Sequence, residues 1–177
     1  MINIKEMKKD IEILERKFQT SIIEYFKSDK FPKEFYSKLE KDIRISKIKK
    51  HQDLNQLFYG AGFYNIVTDC KNSENPCELI YEKAYKVIYR GHCTRIKKRV
   101  ESHLFNDKYN SNTGRTSYNV CMKVEPNVSG INIDLPPYKN FNWFVIQISL
   151  PKSNKIIREQ AEIAFDQLYK KPLASRD

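Results

Sequence analysis

Residues 143–150 (WFVIQISL) form the most hydrophobic run in the chain, and it is only eight residues long. That is far below the roughly 20 apolar residues a membrane helix needs, so the run has to be a strand inside a folded core. Two further runs have the same character: residues 63–68 (FYNIVT), bounded by turn residues, and residues 84–89 (AYKVIY), ended by Gly91. Residues 118–124 (YNVCMKV) read as a fourth strand.

Helical patterns lie around these strands. From residue 3 to 28, Ile4, Met7, Ile11, Leu14, Phe18, Ser21 or Ile22, and Tyr25 recur at alternating steps of three and four, which places them on one face. Asn3 followed by Glu6 makes a capping box at its start. The stripe suits a short coiled coil with a second subunit or, more often for such a pattern, a face packed on the chain's own core. Asp29 to Pro32 breaks this helix, and the spacing of Phe35, Leu39 and Ile43 predicts a second helix over residues 33–50. A short helix is expected over 95–105, and a final one runs from a Ser153 cap to Tyr169, stopped by Pro172. Residues 69–80, 106–117 and 126–137 read as loops. The sum is an α/β fold: a small central mixed or antiparallel sheet flanked by helices and preceded by an N-terminal helical arm. We divide it into a helical segment at 1–58 and a core at 59–177 carrying an insertion at about 106–141.

The net charge of +10 favours polyanionic partners. Nucleic acid leads over an anionic membrane, because 11 Tyr and 10 Phe accompany the cations and offer faces on which bases can stack. The N-terminus runs into charged helix rather than an apolar signal core, so a cytoplasmic address is expected. Cys70, Cys77, Cys93 and Cys121 form no C-x-x-C pair, so reduced structural thiols are expected ahead of disulfides or a zinc site from Cys70, Cys77 and His92.

The chemistry concentrates in one stretch. Gly62-Phe63-Tyr64 opens one strand and Tyr89-Arg90-Gly91 closes the next. A basic helix follows with Arg95, Lys97, Lys98 and Arg99, and His103 lies four residues after Arg99 on the same face. Glu159 and Glu162 sit on the last helix. Phosphodiester hydrolysis needs a base for water, a cation for the charged phosphorus centre and a carboxylate for a divalent metal. All three are present.

This pattern resembles the GIY-YIG nucleases over residues 60–175. Gly62-Phe63-Tyr64 and Tyr89-Arg90-Gly91 match the two half-motifs, Arg99 falls ten residues after the second tyrosine, and His103 follows at the expected step of four. Arg158-Glu159-Gln160-Ala161-Glu162 and Lys171-Pro172-Leu173 resemble the glutamate helix and the proline segment after it. Phe63 and Arg90 depart from the usual aliphatic residues, His92 stands where relatives often have lysine, and Ser175 lies near the position of a frequent asparagine. Glu162, ten residues before Pro172, fits the spacing better than Glu159.

The resemblance implies an Mg²⁺- or Mn²⁺-dependent endonuclease acting on double-stranded DNA in the cytoplasm. In it Tyr64 would act as or assist the general base, Arg99 would hold the scissile phosphate and Glu162 would bind the metal. Tyr89 and His103 would orient water and phosphate, and His92 would replace the lysine. The helical arm and the insertion make the chain look most like free-standing type II restriction endonucleases, which work as homodimers. Arg95, Lys97, Lys98, Lys49, Lys50 and Arg115 are then candidate DNA contacts, and Asn112, Arg115, Tyr118 and Asn119 candidate base readers. The alternatives are a non-cutting nucleic-acid-binding protein on the same scaffold, or a non-specific defence nuclease.

Overall fold

A computed structural model describes residues 3–36, 39–70, 74–114, 122–124 and 130–175. Helix α1 spans Ile4–Lys27, and the Asn3 side chain accepts from the Glu6 backbone N–H, as the capping pattern requires. Strands β1 (Ile43–Ile48), β2 (Gly62–Thr68), β3 (Ile80–Tyr81), β4 (Tyr85–Cys93) and β5 (Trp143–Ser149) form one sheet in the order β1-β5-β2-β4-β3. Every pairing is antiparallel. Helices α2 (Ile96–Leu104), α3 (Asn106–Thr113) and α4 (Lys155–Tyr169) and a 3-10 helix at His51–Gln56 complete the described elements longer than a turn.

Strand β2 lies at the centre and is buried along its whole length, which is why its sequence is almost continuously apolar. Its side chains alternate between two cores. Tyr64 and Ile66 join Tyr89, Trp143 and Val145 beneath Ile96, Val100 and Leu104 of α2. Phe63 and Val67 join Val87 and Ile146 beneath Ala161, Ala164 and Phe165 of α4. The C-terminal part of α1 closes this second core. Phe26 meets Phe31 edge-on at 4.9 Å, Phe63 at 5.6 Å and Phe165 at 5.8 Å.

Four expectations need correction. The helix expected over 33–50 is not formed among the described residues: 43–48 make the edge strand β1, so the segment expected as a helical arm contributes to the sheet itself. Ile43, Ser46 and Ile48 are buried on its register with β5, and pairing with that apolar strand overrides the helical spacing of Phe35, Leu39 and Ile43. Residues 106–113 form helix α3 rather than a loop, ending at Gly114 in the left-handed conformation (φ +66°). Strand β4 does not stop at Gly91 but continues to Cys93 against β2. The cap of α4 is Asn154, whose side chain accepts from Ile157 N–H, instead of Ser153. Most of the strand expected over 118–124 lies outside the described residues. So does part of the loop expected at 126–137, although Pro136–Pro137 and Tyr138 are described.

The apolar stripe on α1 divides. Its C-terminal end, with Ile22, Tyr25 and Phe26, packs on the second core, whereas Ile4, Met7, Ile11, Leu14 and Phe18 remain 39–68% exposed. No helix of the described residues is long and apolar enough to cross a membrane. The aromatic seat under α1 gives a direct test: Phe26→Ala should lower the unfolding free energy in urea by about 3–5 kcal/mol. A loss below about 1 kcal/mol would mean that α1 is not anchored there.

Candidate active site

The first half-motif is built by close backbone approach. A Cβ on Gly62 would lie 2.2 Å from the Ile148 carbonyl oxygen of β5, so only glycine fits where β2 enters the sheet. Two residues on, Tyr64 points into the α2 side and is wholly buried. It lies opposite Gly91 of β4. A Cβ on Gly91 would come within 2.8 Å of the Tyr89 ring and 2.9 Å of the Tyr64 hydroxyl oxygen. The second glycine is thus the space into which both tyrosines pack.

The Tyr64 hydroxyl is hydrogen-bonded to His103 Nε2 at 2.9 Å, and the Tyr89 and His103 rings are 4.5 Å apart. The 99/103 spacing works as expected for a helix face, with different consequences for its two members. His103 is fully buried, while Arg99 lies at the rim of a pocket of about 370 Å³ lined by Cys93, Arg95, Lys98, Ser102 and Tyr109 among others. Burial, and secondarily the Arg99 charge, holds the His103 imidazole well below its usual range, so it is neutral. Burial, Tyr89 and Cys93 push the Tyr64 phenol well above its usual range, with Arg99 opposing only in part.

A second cluster lies on the α4 side. Glu162 Oε2 is 3.3 Å from Arg90 Nη1, and its Oε1 is 3.3 Å from His92 Nδ1, a nitrogen that is buried and makes no well-formed hydrogen bond. Arg90 is itself buried. Its Nε and Nη2 groups donate to Asp166 Oδ1 (3.0 Å) and Oδ2 (2.6 Å), and its backbone N–H donates to Ser175 Oγ at 3.0 Å. Ser175 therefore does touch the second motif, through the backbone. Glu159 points elsewhere, in an exposed pair with Lys155 at 3.1 Å of a kind worth about 0.3–0.5 kcal/mol.

Cys93 follows His92 as the last residue of β4. The Cys93 thiol is raised to about 11, first by burial. The backbone N–H of Arg95 and the charges of Arg99 and Arg158 work against that rise, and Glu162 adds to it.

The remaining expected contacts scatter around this point. Arg95 and Lys98 line the same pocket as Arg99, whereas Lys97 Nζ donates to Asn55 Oδ1 at 2.6 Å beside the Tyr59 ring. Lys49 and Lys50 are exposed at the turn after β1, where their backbone N–H groups donate to Asp53. The next residue, His51, ties this turn to α2 through Glu101 at 2.8 Å. Asn112 is exposed on α3, and Arg115, Tyr118 and Asn119 lie outside the described residues. Arg90 and Asp166 are the residues that motif reasoning passed over as functional. The available signal was a cation in the middle of an apolar strand, since buried arginines require partners.

A metal must be judged against this donor set. Among the described residues no group of three or more His, Cys, Asp or Glu side chains gathers. A multi-ligand zinc site is not formed among them, and Mg²⁺ on a single carboxylate would need water and substrate phosphate for its other positions. Glu162, partly exposed, is the carboxylate that fits.

Because His103 is neutral when folded, its proton uptake belongs to the unfolded chain. Stability should therefore fall, by up to about 1.4 kcal/mol per pH unit, as pH drops below about 6.5. In NMR the His103 imidazole shifts should stay at their neutral values from about pH 8 to 5, and a midpoint near 6.5 would contradict the burial argument. No protein-family model, curated protein or solved structure matches the chain.

Proposed function

We propose that the chain is a metal-dependent DNA endonuclease of the GIY-YIG type, most like the type II restriction enzymes. The observation that carries this reading is the buried Tyr64–His103 hydrogen bond on the helix that also brings Arg99 to the basic pocket, with Glu162 beside His92 near the end of β4. Phosphoryl transfer asks for that pairing of a cationic fork and a carboxylate.

The roles follow from the environments. Arg99, at the pocket rim with Arg95 and Lys98, presents a planar guanidinium to the scissile phosphate and stabilises the charge that builds as water attacks phosphorus. Tyr64 starts as a neutral phenol, because burial raises its pKa. In the tautomer that leaves His103 Nε2 as acceptor, the phenol donates to it, and this hydrogen bond fixes the Tyr64 hydroxyl where it would assist the attacking water. Tyr89 fixes both rings. Glu162 would hold Mg²⁺ or Mn²⁺, which supplies Lewis-acid stabilisation of the leaving oxygen. His92 and Arg90 orient that carboxylate.

Double-stranded DNA is the substrate this reading names, with the basic groups around the pocket taking the phosphate backbone. In a plasmid-cleavage assay with Mg²⁺, the protein should give discrete fragments that disappear in EDTA. Arg99→Ala and Glu162→Ala should each slow cleavage by about 10²-fold or more, whereas Glu159→Ala should leave it near wild type. A smear in place of fragments would establish a non-specific nuclease. Retained DNA binding with no cleavage by the wild type would establish the non-cutting reading and overturn this one.

A further inference from the structure

The exposed half of α1 carries a seam that the described residues do not cover. Ile4, Ile11, Phe18 and Tyr25 occupy one heptad position, and Met7, Leu14 and Ser21 the next apolar one, a period of 3.5 that belongs to helix pairing. Ile4 to Phe18 stay 39–68% exposed, although α1 and α4 are in contact.

The seam leads into a cavity. Where α1 reaches the body of the protein, Ser21, Ile22, Tyr25, Phe63, Ile148 and Leu150 help line an apolar pocket of about 210 Å³. Ser21, the one small residue on the seam, stands at this pocket.

We propose that α1 pairs with α1 of a second copy of this chain, antiparallel, about a twofold axis between residues 12 and 13. In that register Ile11 faces Leu14, Met7 faces Phe18, and Ile4 of each copy faces Ser21 of the other. Ile4 thereby enters the apolar pocket that Ser21 leaves open.

The flanking charges select the direction. In the antiparallel pair Asp10 meets Lys17 of the other copy, and Lys8 meets Glu15, so four opposite-charge contacts border the seam. In a parallel pair Asp10 would meet Glu15 twice, with no attractive pair in exchange. The apolar stripe alone allows both arrangements, and the charges allow one. Two bodies then sit at opposite ends of a helical bridge of about 26 Å. The pairing does not rest on the nuclease reading.

Sedimentation equilibrium on the full chain tests this. The wild type should be a dimer. Asp10→Lys should weaken it about tenfold by placing lysine against Lys17, and the double variant Asp10→Lys, Lys17→Asp should restore it. Glu15→Lys should weaken the dimer likewise, by facing Lys8. These surface exchanges leave the core untouched, and unchanged far-UV circular dichroism verifies that. A wild type that remains monomeric up to its solubility limit overturns the proposal. So does a dimer that tightens with Asp10→Lys, the signature of parallel pairing, or one indifferent to all three variants.

Discussion

A buried arginine in the second-to-last strand of the sheet governs the arrangement. Arg90 sits in β4 among apolar residues, and an unpaired guanidinium there would cost several kcal/mol. It is compensated from one direction, by Asp166 and Glu162, which lie four residues apart on one face of α4. That pairing sets the rotation of α4 against the sheet. With Asp166 held by two hydrogen bonds, Glu162 has to point along β4 toward His92 and Cys93, where the candidate chemistry lies. The residue that departs most plainly from the nuclease pattern thus becomes its positioning device.

On the other face the constraint is space. Gly62 and Gly91 let the β2 backbone and the Tyr64 ring approach closer than any side chain would permit. The resulting cluster of Tyr64, Tyr89 and His103 is buried, which keeps the imidazole neutral and the phenol protonated. Arg99 lies one turn before His103 and remains at the rim of the pocket. One helix therefore carries a buried imidazole and a cation that lines the pocket.

Much of this was legible in the sequence, and the failures have physical causes. The strands β2, β4 and β5 and the helices α1, α2 and α4 announce themselves by period, because each buries a face or both faces. Strand β1 does not: its outward positions carry Arg44 and Lys47, and three apolar residues before and within it fall at helical spacing by accident of sequence. Helix α3 is rich in Asn, Ser and Thr, and depends on its neighbours rather than on propensity, as in the Asn106 side chain donating to Ser102 O at 2.8 Å. The Arg99–His103 step of four was readable, but which of the two would be buried was not, since that depends on Tyr64 arriving from a strand 39 residues away. The Arg90–Asp166 pair spans 76 residues and exists only once the register of β4 and the seating of α4 are both fixed.

In the proposed nuclease, Arg99 and Glu162 would act as one unit on one phosphate. A double-mutant cycle on single-turnover DNA cleavage measures this directly, using Arg99→Ala, Glu162→Ala and the two combined. Groups that stabilise the same transition state are strongly non-additive, so the double variant should be scarcely slower than the slower single variant. Rate losses that simply multiply would show that the two residues work independently, and would contradict a shared site.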